Sequence, residues 1–352
     1  MPLLSLLTCA AALAAPAADR PQRLVFAHYM VAIPTYGGDS TIADYQREIT
    51  AAQSRGIDGF ALNCGGWSLR EPHYRARALK IYEAAKQLGT GFRLMISADY
   101  CCGLTNAETR DMIETFADHP NQFRYGGKPV LSTFAGEGAD NQHGKDLIAF
   151  LDSLGANAGG LGGDQGRPVV FVPYYYPRPE ITEHPAARHV AQVLRDFPTL
   201  DGFFYFGAAG DSDQLTAANH ACATGWLGAG KLFMACVTPY YRGLGGNYRC
   251  FETGGFAGVA KQWEGAIADG ATWVEIVTWN DWGEASYVAP FGPPAATKLY
   301  NGHWGDELNH VGYLDAMRYW IDWYKAGAPP AIGADRLFYC YRLAPAAVPF
   351  QG

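Results

Sequence analysis

The sequence predicts an α/β protein that forms a single (β/α)8 barrel, a TIM barrel, and two observations support this. From Arg23 onward, apolar β-rich runs alternate with amphipathic segments, and the alternation repeats eight times. The apolar runs show no sustained polar alternation, which is typical of parallel strands covered on both faces. Eight consecutive β-then-α units favour a closed barrel over a doubly wound open sheet, which would rarely use eight uninterrupted units.

Each predicted strand is rich in Val, Ile, Phe, Leu or Tyr. The predicted strands are residues 24–29, 59–63, 93–98, 129–133, 169–174, 202–206, 231–238 and 273–279. The predicted helices carry apolar residues three or four positions apart, and they are residues 45–54, 74–88, 107–116, 145–154, 187–197, 214–224, 256–268 and 314–325. Several helices end at a glycine suited to a left-handed C-cap: Gly56, Gly89, Gly155, Gly270 and Gly327.

The two ends of the chain lie outside this repeat. Residues 1–18 are apolar, uncharged and Ala-rich and end in small residues, so we expect a cleaved signal peptide and a secreted or periplasmic protein. Residues 336–342 predict one short strand-like tail, and too little chain remains for a second domain. The predicted catalytic domain therefore spans residues 22–345.

The composition indicates a large core and limits the classes of molecule that the protein is expected to bind. Hydrophobic residues make up 49% of the 352 residues and charged ones 17%, which provides a large core. The formal net charge is −7 and there is no run of Lys or Arg, so nucleic acid and membrane are not expected partners. Without residues 1–18, seven cysteines remain, which would allow one to three disulfides. We expect a monomer.

Polar and aromatic side chains cluster where the predicted strands end. In such a barrel, substrates bind at the C-terminal ends of the strands. This rim is poor in Lys and Arg, so it suits a carbohydrate better than a phosphate. We expect substrate-binding residues among His28, Tyr29, Asn63, Trp67, Tyr100, Tyr174, Tyr240, Trp279, Asn280 and Trp282. Because no second histidine stands at ligand spacing from His28, neither a metal nor a cofactor is expected.

Three carboxyl groups at this rim are candidates for catalysis. Hydrolysis of a glycosidic bond needs one protonated and one ionised carboxyl group. Asp281 and Glu284, in the segment that follows strand 8, could supply both, although an isolated Asp-x-x-Glu is often an acidic turn between packed tryptophans. Asp99 follows strand 3 and could bind a substrate hydroxyl, act as a base, or simply cap the start of the loop that follows. Asp58 and Asp201 precede strands and are interpreted as structural.

Four segments of the chain resemble glycoside hydrolase family 71, the α-1,3-glucanases or mutanases. They are residues 25–30, 56–63, 94–99 and 274–287, and the resemblance extends from about Arg23 to Lys325. It implies endo-hydrolysis of α-1,3-glucan with inversion, that is, a glucan endo-1,3-α-glucosidase. By the same resemblance Glu284 is the general acid, Asp281 the base, and Asp99 a third important acid.

Other interpretations stay open from the sequence. The strand-3 segment departs from the family's usual Phe-Asp, since Ala98 precedes Asp99 and Tyr100-Cys101-Cys102 follow it. A related barrel of endo-α-mannanase type would cleave mannan or a bacterial polysaccharide, and a third alternative is a carbohydrate-binding barrel without catalysis. The distance between the two carboxyl groups, which separates inverting from retaining enzymes, is not encoded in their spacing along the chain.

Overall fold

The computed structural model describes residues 22–68, 70–156, 167–243, 249–252, 254–291 and 309–339, and the expected signal peptide, residues 1–18, lies outside them. The strands are β1 Leu24–Met30, β2 Gly59–Cys64, β3 Arg93–Asp99, β4 Arg124–Tyr125, β5 Lys128–Phe134, β6 Val170–Phe171, β7 Gly202–Phe204, β8 Leu232–Val237, β9 Tyr240–Arg242, β10 Cys250–Glu252 and β11 Trp273–Ile276. The α-helices are α1 Ile42–Gln53, α2 His73–Leu88, α3 Asn106–Phe116, α4 Gln142–Ala156, α5 Ala187–Asp196, α6 Ser212–Gly228, α7 Phe256–Ala268 and α8 Val311–Ala326.

Eight parallel strands form the barrel in the order β5, β3, β2, β1, β11, β8 and β7, with β6 on the other side of β5. The pairing of β6 with β5 extends beyond its assigned residues, because the N–H of Tyr174 donates to the carbonyl of Thr133 at 3.0 Å. The N–H of Phe204 on β7 donates to the carbonyl of Pro173 at 2.9 Å and joins the two ends of the sheet. The predicted (β/α)8 fold is confirmed.

Alternate residues of β1 face the helices and the barrel interior. The Tyr29 hydroxyl donates to Glu48 on α1 at 3.0 Å, so this ring points outward. Because successive side chains of a strand point to opposite faces, its neighbour His28 points inward. There its Nδ1 lies 2.6 Å from Oε1 of Glu275 on β11. The barrel interior therefore contains a polar pair, His28 and Glu275, between β1 and β11.

The predicted C-cap glycines are mostly confirmed. Gly89 and Gly327 end α2 and α8 in the left-handed conformation, with φ of 63° and 77°. Gly56 and Gly270 also have positive φ, of 89° and 70°, just beyond the ends of α1 and α7. Gly155 instead lies inside α4, so the prediction for that helix end is wrong. Hydrogen bonding continues the helix past this glycine to Ala156.

Two aspartates at the N-terminal ends of the strands tie neighbouring elements together. Asp58 accepts the N–H of Val25 at 2.8 Å and also contacts Nζ of Lys325 at 2.7 Å. Asp201 accepts the N–H of Phe171 at 2.8 Å. Both carboxylates therefore satisfy backbone donors at strand starts, as expected for residues on the structural side of the barrel.

The tail and the cysteines differ from expectation. Residues 336–339 form no strand, and residues 340–342 of the predicted tail strand lie outside the described residues. All six cysteines that the structure describes are free, so none of the expected disulfides forms among them. Over the same ranges, the chain has no helix with the length and apolar character needed to cross a membrane.

Candidate active site

The loop that follows β11 carries both candidate catalytic carboxyl groups. The N–H of Asp281 donates to Oγ1 of Thr278 at 2.8 Å, and Oδ1 of Asp281 accepts the N–H of Glu284 at 2.9 Å. These bonds turn the chain sharply at the C-terminal end of the strand. Asp281 is 9% exposed and Glu284 is partly buried. The two predicted residues are thus brought together on one short turn, called the acid loop below (residues 278–286).

The acid loop is fastened to the segment that follows β1. The amide oxygen of Asn280 accepts the N–H of Met30 at 2.7 Å, and its Nδ2 donates to the carbonyls of Met30 and Ile33, both at 3.0 Å. The indole N–H of Trp282 also donates to the Ile33 carbonyl, at 2.9 Å. Side chains on both sides of Asp281 are therefore committed to holding the loop in place.

A buried carboxyl group on α1 gives the acid loop a further anchor. Glu48 accepts hydrogen bonds from the indole N–H of Trp279 at 2.8 Å, the Tyr29 hydroxyl at 3.0 Å and the Thr35 hydroxyl at 2.6 Å. Burial raises the pKa of Glu48 to about 7, against the effect of its three donors. Helix α1, β1 and the acid loop consequently meet at one side chain.

The two carboxyl groups of the acid loop differ in their electrostatic surroundings. Burial, and next the negative charge of Asp281, raise the pKa of Glu284 to about 8. Burial also raises the pKa of Asp281, but the N–H groups of Glu284 and Gly283 and the charge of His28 oppose that rise. Glu284 therefore keeps its proton near neutral pH, while the donors on Asp281 favour the ionised form of that group. Such a pair can supply one base and one acid.

Asp99 lies at the end of β3, next to the end of β2. Its Oδ2 accepts a hydrogen bond from Nδ2 of Asn63 at 3.3 Å, and its Oδ1 accepts the N–H of Cys101 at 3.0 Å. Burial raises the pKa of Asp99, while Asn63, Cys101 and the charge of His28 act to lower it. The charge of His28 therefore acts in the same direction on Asp99 and on Asp281.

His28 is held by the carboxyl group of Glu275, a residue whose role the sequence left open. Both side chains are at most 1% exposed. Within the described residues, Nε2 of His28 and Oε2 of Glu275 have no hydrogen-bond partner. A carboxylate on Nδ1 keeps a proton on that atom and orients the ring. Nε2 is thus a buried polar atom that no described side chain satisfies.

An antiparallel hairpin, β9 with β10, borders the acid loop and was not predicted. The N–H of Arg242 donates to the carbonyl of Glu284 at 2.8 Å. The hydroxyl of Tyr241 donates to Oε1 of the Glu284 side chain at 3.1 Å. Arg249, which begins the second arm, forms two hydrogen bonds with Glu183, at 2.7 and 2.9 Å.

The aromatic residues predicted to bind substrate are placed differently from expectation. Besides His28 and Asn63, seven of the ten predicted substrate-binding side chains are buried: Tyr29, Trp67, Tyr100, Tyr174, Trp279, Asn280 and Trp282. Their polar groups are used within the protein, as where the indole N–H of Trp67 donates to Asp111 at 2.7 Å and the hydroxyls of Tyr100 and Thr109 lie 2.6 Å apart. A continuous groove of these rings is therefore absent from the described part of the rim.

The three remaining predicted side chains lie on β1, on β2 and at the start of β9. His28 and Asn63 are buried but contact Glu275 and Asp99, and Tyr240 is half-buried at the start of the hairpin. Sequence reasoning missed Tyr241, Glu183 and Arg249. The position of Tyr241 after strand 7 was a usable signal, whereas nothing in the sequence pairs Glu183 with an arginine in a later loop.

A closed parallel barrel that carries a buried and a partly buried carboxyl group on one turn at its catalytic end has the architecture of a glycoside hydrolase. The comparison with protein families agrees. The chain belongs to glycosyl hydrolase family 71, whose model matches residues 21–350.

Curated relatives and solved structures agree with this placement. The chain is 30% identical to a mutanase of Penicillium rubens over 97% of this chain and 72% of that protein. It is 29% identical to a glucan endo-1,3-α-glucosidase of Schizosaccharomyces pombe, over 92% of this chain and 71% of the relative. Among solved structures, the endo-α-mannosidase of family GH99 from Bacteroides thetaiotaomicron superposes with a TM-score of 0.61 at 16% identity, covering 86% of this chain and 97% of that one. At this identity the likeness concerns the fold.

Proposed function

We propose that this enzyme is an inverting endo-hydrolase of α-1,3-glucan, with Glu284 as general acid and Asp281 as general base. The observation that carries the catalytic assignment is the placement of two carboxyl groups with different hydrogen-bond partners on one turn. Burial and the charge of Asp281 hold the pKa of Glu284 at about 8, while backbone donors favour the ionised form of Asp281. The substrate follows from the relatives, which are named as a mutanase and an endo-1,3-α-glucosidase.

The reaction exchanges one bond at the anomeric carbon for another. Glu284 gives its proton to the glycosidic oxygen as the bond from that oxygen to C1 breaks. A water molecule attacks C1 from the opposite face, and its proton passes to Asp281. Afterwards Asp281 holds a proton and Glu284 has lost one, and exchange with solvent restores both. The product of an α-linked glucan is then the β-anomer.

Three further side chains are proposed to hold the sugar at the reacting centre. Asp99 and Asn63 contact each other at the ends of β3 and β2, and both present oxygen or nitrogen atoms near the rim. His28 adds the free Nε2. Carboxylate, amide and imidazole groups of this kind form hydrogen bonds with sugar hydroxyls. The rings of Tyr240 and the half-buried Tyr176 are the aromatic candidates for stacking.

Substrate and stereochemistry are tested with purified enzyme and a panel of polysaccharides. We expect reducing ends to accumulate from α-1,3-glucan and not from α-1,6-linked mannan, with oligosaccharides as early products. Proton NMR during the first minutes should show the β-anomer first. Turnover of α-mannan alone would favour the mannanase alternative, and an initial α-anomer would show retention and require a nucleophile. No turnover of any glycan would leave a carbohydrate-binding barrel.

We also propose that the enzyme is a secreted monomer whose residues 1–18 are removed as a signal peptide, leaving a catalytic domain of residues 22–345. The apolar, uncharged N-terminal segment supports this. Expression of the full chain in a secreting host, followed by N-terminal sequencing of the protein in the medium, tests the cleavage. Retention of the intact N-terminus on a cell-associated protein would contradict it.

A further inference from the structure

The β9–β10 hairpin fixes the position of Tyr241 relative to the acid loop. Tyr241 pairs with Phe251 across the hairpin, and its ring is 3% exposed. The next residue, Arg242, donates its N–H to the carbonyl of Glu284 at 2.8 Å. The backbone of the hairpin and that of the acid loop are therefore joined beside the Tyr241 side chain.

The hydroxyl of Tyr241 reaches one oxygen of the candidate general acid. It donates to Oε1 of Glu284 at 3.1 Å. Among the described residues, no other side chain donates a hydrogen bond to this carboxyl group. Because a hydroxyl donor on Oε1 fixes the orientation of the whole group, the proton carried by Oε2 has one defined direction.

Tyr241 is itself held by a charged pair that spans two loops. The guanidinium carbon of Arg249 lies 5.8 Å from the centre of the Tyr241 ring. Both terminal nitrogens of Arg249 bind Glu183, which lies in the segment between β6 and α5. The carbonyl of Arg249 accepts the N–H of Gly243 at 2.8 Å, so its own backbone is part of the hairpin. A continuous series of contacts leads from the β6–α5 segment to Glu284.

We propose that Tyr241 is a positioning residue for the general acid, and that Glu183 and Arg249 keep Tyr241 in place. The inference rests on the proposed role of Glu284 and deepens it. When Glu284 gives its proton to the leaving oxygen, its carboxyl group becomes a carboxylate. The Tyr241 hydroxyl then donates to an anion, and such charge-assisted hydrogen bonds are stronger than neutral ones. Tyr241 therefore stabilises the state in which the proton has been transferred.

The variant Tyr241→Phe removes the hydroxyl and keeps the ring. Its turnover is measured on two substrates: α-1,3-glucan, whose leaving sugar needs a proton, and a 2,4-dinitrophenyl α-1,3-gluco-oligosaccharide, whose leaving group does not. We expect kcat on glucan to fall about tenfold or more. On the dinitrophenyl substrate we expect kcat within about twofold of the original enzyme. A residue that only packs would lower both rates together.

The matched control is Tyr324→Phe. This buried hydroxyl donates to the carbonyls of Ala271 and Thr272 at the opposite end of the barrel. Its loss should leave the ratio of the two rates unchanged. If Tyr241→Phe does not fold, Arg249→Met detaches the tyrosine without altering it and should give the same imbalance between substrates.

Glu284→Gln separates a failure of this inference from a failure of the proposed function. If Glu284→Gln loses activity on glucan and keeps it on the dinitrophenyl substrate, while Tyr241→Phe lowers neither rate or both equally, only the role of Tyr241 is overturned. If Glu284→Gln retains its activity on glucan, the general acid is another residue and the positioning role is overturned with it.

Discussion

Aspartates at both ends of the barrel accept hydrogen bonds from backbone N–H groups, but the charged side chains around them differ. At the N-terminal ends of the strands, Asp58 accepts a backbone N–H and contacts Lys325 at 2.7 Å, and Asp201 does likewise with Arg167 at 3.1 Å. At the C-terminal ends, Asp281 also accepts backbone N–H groups. Yet within the described ranges neither it nor Glu284 forms an ion pair with Lys or Arg.

This difference separates a structural carboxylate from a chemically active one. A cation at bonding distance keeps a carboxylate ionised, so it serves as a fixed hydrogen-bond acceptor. Without such a cation, burial raises the pKa of Asp281 and raises that of Glu284 to about 8, so Glu284 can release its proton near neutral pH. At both ends of the barrel, aspartates accept hydrogen bonds from backbone N–H groups. Of Asp58, Asp201 and Asp281, only the two at the N-terminal ends of the strands also pair with a Lys or Arg side chain in the described part of the chain.

The largest expected effect is on catalysis at the C-terminal end. Asp281→Asn and Glu284→Gln should each lower kcat on α-1,3-glucan by about two orders of magnitude or more, since each removes a positioned base or acid. Thermal unfolding should show that both variants fold, because neither carboxylate neutralises a cation. Near-normal turnover by either variant would remove that residue from the catalytic pair.

The second prediction concerns pH. The proposed mechanism needs Asp281 ionised and Glu284 protonated, so we expect kcat/KM to have a bell-shaped pH profile. Above pH of about 8, where Glu284 loses its proton, kcat/KM should fall about tenfold per pH unit. The acidic limb should lie above the ordinary pKa range of an aspartate, because burial raises the pKa of Asp281. The measurement is made on a soluble oligosaccharide, and a constant rate between pH 7 and pH 10 would contradict it.

A smaller effect is expected at the N-terminal end, and on stability rather than turnover. Asp58→Asn leaves the Lys325 ammonium with the Gly56 carbonyl but without its carboxylate partner, and weakens the acceptor for the Val25 N–H. We expect the free energy of unfolding to fall by about 1–2 kcal/mol. The rate per folded molecule should not change. Urea titration and activity assays on the same preparation test this. A loss of turnover without a loss of stability would contradict the structural role assigned to the N-terminal end of the barrel.

The smallest predicted effect involves Glu48, the anchor of the acid loop. Its pKa is raised to about 7 in the folded protein, from an ordinary value of 4.5. The folded state therefore binds this proton more tightly, and the stabilisation is complete below pH 4.5 and is lost as pH rises through 7. Glu48→Gln does not titrate. The difference in unfolding free energy between the two proteins should thus shift by about 1 kcal/mol between pH 6 and pH 7. Parallel pH profiles of stability would refute it.

The barrel was predictable because its signals are local. Strands buried on both faces, such as Gly59–Cys64, produce continuous apolar runs, and left-handed caps such as Gly89 mark helix ends. The acid loop was found by position, because the end of the last strand lies at the catalytic face. The prediction of a tail strand was wrong for residues 336–339, because a short run of Tyr, Phe and Leu gives no information about whether a partner strand is present.

The environment of the rim could not be predicted, because it depends on contacts distant in sequence. The indole N–H of Trp279 meets Glu48, 231 residues earlier, and this contact makes a ring at a strand end part of the scaffold. Arg249 and Glu183 are 66 residues apart and lie in loops without periodicity. The position of a residue along its strand indicates which end of the barrel its side chain occupies. It does not indicate whether the polar atoms of that side chain already form hydrogen bonds within the protein.

The attachment of the acid loop to the start of the chain affects how the enzyme is made. Asn280 holds its neighbours in place by bonding Met30 and Ile33, which a ribosome adds some 250 residues earlier. A nascent chain that ends before the acid loop lacks both candidate carboxyl groups, and β1 then has no β11 to pair with. We therefore expect fragments that end before residue 278 to have no hydrolase activity.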